Sequence, residues 1–230
     1  MERAAQLLYR MLGHESLVSE FTDASNLGPE FKTSILTPWV TTTKFDFDNK
    51  DHAAKAKLLY VPSAWLANWD VFGQTYDNVS AEGVVLDTGG SLVYRARGGE
   101  KEFSNTSVNE LESLRNMSKN PTAAGIFMDL TPEEIKSQIA NLEAMASNEQ
   151  IRDVVFGVFD LSDPAEKTDA ENLVKTLIAR KNIIVASLTG LGSIESRMPT
   201  ELRRFIEMPT MAAEEDIFHV REAAKTFENA

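Results

Sequence analysis

The chain has 230 residues, room for one large domain or two small ones and ample for a self-supporting core. Its composition, 43% hydrophobic and 25% charged, matches that of soluble globular proteins, and no window approaches the ~18 uninterrupted apolar residues of a membrane span. The absence of cysteine removes disulfides, thiol catalysis and cysteine-held metals, and a net charge of −12 argues against nucleic acid as the primary ligand.

The opening stretch, MERAAQLLYRMLGHESLV, interleaves charge with apolar residues and carries no cleavage site of a secretion signal. It is read as an amphipathic helix, and the chain as cytoplasmic. Leu7, Leu8, Met11 and Leu12 recur at helical spacing, and Gly13 ends the run. Residues 1–27 form this helical segment, which closes its own core or exchanges with a neighbouring copy. The loop DASNLGPE follows.

Residues 28–104 are predicted to be β-rich. TSILTPWVTTTKFDFD is dense in β-branched and aromatic residues, and Lys44 to Asp48 alternates polar and apolar. KAKLLYVPSAWL reads as another strand, stopped at Pro62. GVVLDTGGSLVYRARGGEKEF reads as two further strands across a turn made by Asp87 and Gly89-Gly90. The Asp87-Thr88-Gly89 triplet is also how aspartic proteases present a catalytic carboxylate. Only one such triplet is present, and capped helices follow where those enzymes need a flap, so Asp87 is assigned to a turn.

Residues 105–230 are predicted to be mainly helical. Ser107-x-x-Glu110 and Thr131-Pro132-Glu133-Glu134 are capping boxes, and Ile135, Ile139, Leu142 and Met145 make one stripe. DVVFGVFDL reads as a strand, Asp163-Pro164 as a helix start, and NIIVASL as a second, fully buried strand. Residues 153–188 would then be a right-handed βαβ unit. A last helix starts near Thr210. The expected fold is therefore α+β, with a β-rich N-terminal half of antiparallel strands and a hairpin, then a helical C-terminal half holding one βαβ unit. The three segments are compatible with a single domain.

Chemistry-bearing candidates are sparse. Gly190-x-Gly192-Ser193 follows the second expected parallel strand, where α/β sheets place ligands, so Gly190, Gly192 and Ser193 are the ligand-binding candidates. The dinucleotide fingerprint asks for a third glycine where Glu195 stands. The order helix–strand–helix–strand–Gly resembles the core of crotonase-type acyl-CoA enzymes, without their first oxyanion-hole segment. His219 lies three residues from both Asp216 and Glu222, a spacing read as a solvated helix face and not a metal site. Trp65, Trp69, Phe72 and Tyr76 recur at helical spacing, as core or as an interface for protein partners.

No catalytic residue, metal or cofactor is assigned from these patterns. The leading expectation is a non-enzymatic structural or interaction protein that self-associates as a homo-oligomer, such as an assembly subunit or a virus- or phage-type structural protein. The alternative is a small-molecule enzyme or ligand-binding protein, with an acyl-CoA- or nucleotide-type ligand at the loops after Asp160 and Leu188.

Overall fold

A computed structural model describes residues 1–23, 33–38, 40–95 and 98–197, with the backbone alone for 23, 33–35 and 189–197. Residues Met1–Leu188 form one compact unit, so the expected divisions near 27 and 104 fall inside it. Thr189–Ala230 form a second unit, of which the described residues are the end of a helix.

The protein is mostly helical. α1 (Glu2–Met11) is amphipathic as expected. It buries Ala4, Ala5, Leu8 and Tyr9 in the core of its own chain, and Gly13 ends it at a φ of +84°. The segment after α1 does not continue as helix. It bonds Val85 from both sides, with Leu17 N–H donating to Val85 and Val85 N–H donating to Glu15. It then enters β1 (Glu20–Asp23), which pairs antiparallel with β2 (Thr33–Leu36) in the register Glu20–Leu36 to Asp23–Thr33.

That ribbon is the sheet content of the described residues, and the β-rich half is not there. KAKLLYVPSAWL is two helices, α2 (Lys50–Lys57) and α3 (Tyr60–Trp65). Asn49 starts α2 by accepting from the N–H groups of Asp51 and His52. Pro62 does not stop α3. It occupies the first turn, where a helix has no internal partner for its N–H groups. Every residue of α3 is buried, so it shows neither the alternation of a strand nor the stripe of a surface helix. The residues Lys44 to Asp48 hold one bridge, Lys44–Ser80, and then turn at Asp46, whose carboxylate accepts from Asp48 N–H.

The stretch around Asp87 is a turn but not a hairpin. Asp87 Oδ1 accepts from Gly89 N–H at 2.7 Å, and the chain continues irregularly to Leu92. Antiparallel bridges flank this turn, one earlier at Val79–Val85 and one later. Tyr94 bridges Glu100, with Gly98 and Gly99 at φ +83° and +81°, values that only glycine adopts without strain.

The remaining helices are α4 (Glu110–Ser113), α5 (Pro121–Phe127), α6 (Pro132–Met145), α7 (Asn148–Phe156) and α8 (Pro164–Arg197). The Ser107–Glu110 capping box does not form, because α4 begins only at Glu110. The Thr131–Glu134 box does, with both reciprocal bonds in place. The expected βαβ unit is replaced by helices. Ser147 and Gln150 close a capping box that starts α7 across the first expected strand. NIIVASL simply continues α8, since no Gly or Pro interrupts the chain between Pro164 and Gly190.

Cations hold the ends of several helices. Arg115 donates to the carbonyls of Phe127, the last residue of α5, and of Met128 and Leu130 just after it, and Lys181 donates to Ala146 at the end of α6. Helix C-termini leave carbonyls without internal partners and carry the negative end of the dipole, so cations are the favourable cap.

Candidate functional site

The densest polar cluster sits at the C-terminal end of α3. Arg180, on α8, is 1% exposed although charged. Its Nε donates to Trp65 O at 2.8 Å, and Nη2 donates to Ala64 O and Glu110 Oε2 at 2.7 Å each. Nη1 donates to the carbonyls of Ser104 and Ser107 at 3.2 Å. The guanidinium therefore spends all of its N–H donors within the protein. Phe103 covers it, with the ring centroid 4.7 Å from Cζ. Trp65 reciprocates by donating its indole N–H to Leu177 O at 2.9 Å.

Lys101 completes the cluster by donating to Ala67 O and Gly90 O. Burial holds its ammonium down to about 8, opposed by the nearby Glu110 carboxylate. Ala67 has a φ of +52°, so the chain turns sharply straight after α3, and Leu92 N–H takes the Leu66 carbonyl. The cluster is a cap built from distant parts of the chain.

A second buried polar knot joins Tyr9, Ser63 and Asn68. Tyr9 Oη lies 2.9 Å from Ser63 Oγ and accepts from Asn68 Nδ2 at 3.1 Å. Burial pushes the Tyr9 hydroxyl up to about 12, so it stays protonated. His14 lies edge-on to the Tyr9 ring, its pKa lowered by burial. His52 Nδ1 accepts from Asp46 N–H. Among the described residues, no group of three or more His, Cys, Asp or Glu side chains is placed to hold a metal ion.

The aromatic quartet separates. Trp65 and Phe72 are buried, and Phe72 packs on Phe127 with ring centroids 5.1 Å apart. Tyr76 is half-buried at a φ of +57° and stacks on Phe45. Trp69 alone is exposed, at 46%. Gly190, Gly192 and Ser193 lie within α8, so the strand-to-helix turn that would have cradled a ligand is absent there. Asp160 sits in an exposed turn, its carboxylate accepting from the N–H and hydroxyl of Ser162. Asp216, His219, Glu222 and the helix near Thr210 lie outside the described residues.

The candidate site with unspent capacity is one the sequence reading missed. Helices α2, α5 and α6 border an open groove of about 530 Å³. Phe47, Ala54, Leu58, Gly125, Ile126 and Leu130 give it an apolar lining. Leu58 is 54% exposed and Phe47 42% exposed, at the edge of this surface. Phe47 lies so close over α5 that a Cβ on Gly125 would sit 3.1 Å from its ring, so only glycine leaves the ring where it is. The rim is charged and polarised. Lys50 and Lys57 stand on the α2 side, and Asp129 and Glu134 on the α5–α6 side. Lys57 and Asp129 meet at 2.8 Å. The one hint in the sequence is KFDFD, whose alternation marks apolar side chains at intervals without saying which of them stays uncovered.

A second groove of about 450 Å³ runs between α7 and α8, bordered by Phe156, Val174 and Ile178 with Arg152, Glu171 and Lys175. Among the described residues, no helix is long and apolar enough to cross a membrane. No protein-family model, curated protein or solved structure matches the chain.

Proposed function

We propose that this chain is a protein-interaction subunit that associates with copies of itself, an assembly component and not an enzyme. The observation that carries this reading is the α2–α5–α6 groove. Its floor is apolar, its walls hold half-exposed Phe47 and Leu58, and its rim is charged. An apolar centre with a polar, solvated rim is the anatomy of a protein–protein contact. The buried ionic groups support the same reading, because Arg180 and Lys101 are committed to capping α3. A virus- or phage-type structural subunit falls within this class.

Sedimentation velocity and native mass spectrometry over a concentration series test it. A concentration-dependent oligomer is expected. A strict monomer whose melting temperature rises with a nucleotide or an acyl-CoA would overturn it in favour of a ligand-binding protein.

A further inference from the structure

We infer that the α2–α5–α6 groove is a two-fold interface that receives the same groove of a second copy. The inference rests on the self-association reading above and names the surface responsible.

Charge placement carries it. The α2 side of the groove is cationic through Lys50 and Lys57, and the opposite side is anionic through Asp129 and Glu134. A two-fold axis running along the groove sets the α2 side of one copy against the α6 side of the other. Each cationic wall then faces an anionic wall, twice per dimer, as an isologous contact requires. An axis across the groove would match like charges instead. Shape agrees with this. Leu58 and Phe47 project from the same surface that carries the small residues Ala53, Ala54 and Gly125, so it offers both knobs and recesses. A self-complementary face needs both on one patch. The Lys57–Asp129 pair is open to solvent on its Asp129 side, so each member can be shared with a partner of opposite sign.

The test uses the full chain and three variants, each checked for an unchanged melting transition. Leu58→Asp places a charge in the apolar contact. Lys50→Glu with Lys57→Glu reverses the cationic wall. Asp129→Lys with Glu134→Gln reverses the anionic wall, and glutamine preserves the capping box with Thr131. Each variant alone is expected to weaken self-association by at least ~10-fold, about 1.4 kcal/mol. Mixing the two wall variants restores complementarity at both walls, so a mixed dimer is expected in equimolar solution. A wild-type oligomer that none of the variants weakens would overturn this interface and leave self-association standing. Monomeric wall variants that fail to pair when mixed would overturn the two-fold arrangement. A wild-type chain that stays monomeric throughout would overturn both readings.

Discussion

The end of α3 and the α2–α5–α6 groove are built from the same kinds of side chain, a few cations and acids beside apolar residues, and they differ in what is left over. At α3 every donor of Arg180 has an acceptor, and the carbonyls from Ala64 to Ala67 are taken by Arg180, Lys101 and Leu92. In the groove, Phe47 and Leu58 keep about half their surface in water. A charged cluster deep in a protein invites a catalytic interpretation. Here the inventory of partners assigns it to structure, and the uncovered apolar surface is where binding free energy remains available.

The sharpest way to break this contrast is Arg180→Met. It leaves Glu110 without its cation and several buried carbonyls without donors. The expected loss is about 3–5 kcal/mol of unfolding free energy, the range for breaking a buried pair by removing one partner. Urea unfolding would measure it, and a loss below ~1 kcal/mol would show that the cluster is not structural. Next in size is Tyr9→Phe, which strips the hydroxyl that Ser63 and Asn68 share. About 1–3 kcal/mol is expected, because the Asn68 donor is left buried and unpaired.

Lys101 adds a test by pH. Its folded pKa, about 8, lies below its ordinary 10.5, so between those values the unfolded chain binds more protons than the folded one. Stability from this group therefore rises as pH rises from 8. Lys101→Met should flatten that slope. Measurements are best kept below pH 10, above which Tyr9 and Tyr60, both held near 12, favour the unfolded chain. The smallest effects are expected at the surface. Leu58→Asp should change unfolding free energy by under ~0.5 kcal/mol while disrupting assembly. Asp87→Asn should be equally mild, since the amide oxygen can still accept from Gly89 N–H.

What could be read in advance was written in local hydrogen bonding. Gly13, Thr131 with Glu134, and Asp163 with Pro164 mark helix ends through partners a few residues away, and the structure keeps them. What misled was apolar composition. LLYVP and NIIVASL carry the composition of strands, but an apolar run without a period is equally a helix, and tertiary packing decides: Leu59 to Pro62 and Ile184 are buried, while Leu58 and the rest of NIIVASL are not. The correction for NIIVASL was within reach, because no Gly or Pro separates it from the helix that starts at Pro164. Ser147-x-x-Gln150 was likewise a visible helix start. Of the groove, KFDFD gave only a hint, since Phe47 and Gly125 meet only in the folded chain.

The cap on α3 also bears on how the chain is born. Trp65 and its partner carbonyl on Leu177 are 112 residues apart, and Arg180 reaches back 115 residues to Trp65 O. At a synthesis rate of ~5–20 residues per second, the ribosome needs roughly 6–23 s to make that intervening length. Through that interval the Trp65 carbonyl lacks its Arg180 donor and the Trp65 indole its Leu177 acceptor, so the N-terminal part has no route to its final form until α8 has left the exit tunnel. A nascent chain arrested before Arg180 should accordingly be protease-sensitive throughout α1 to α3, and one arrested well beyond Arg197 should be resistant.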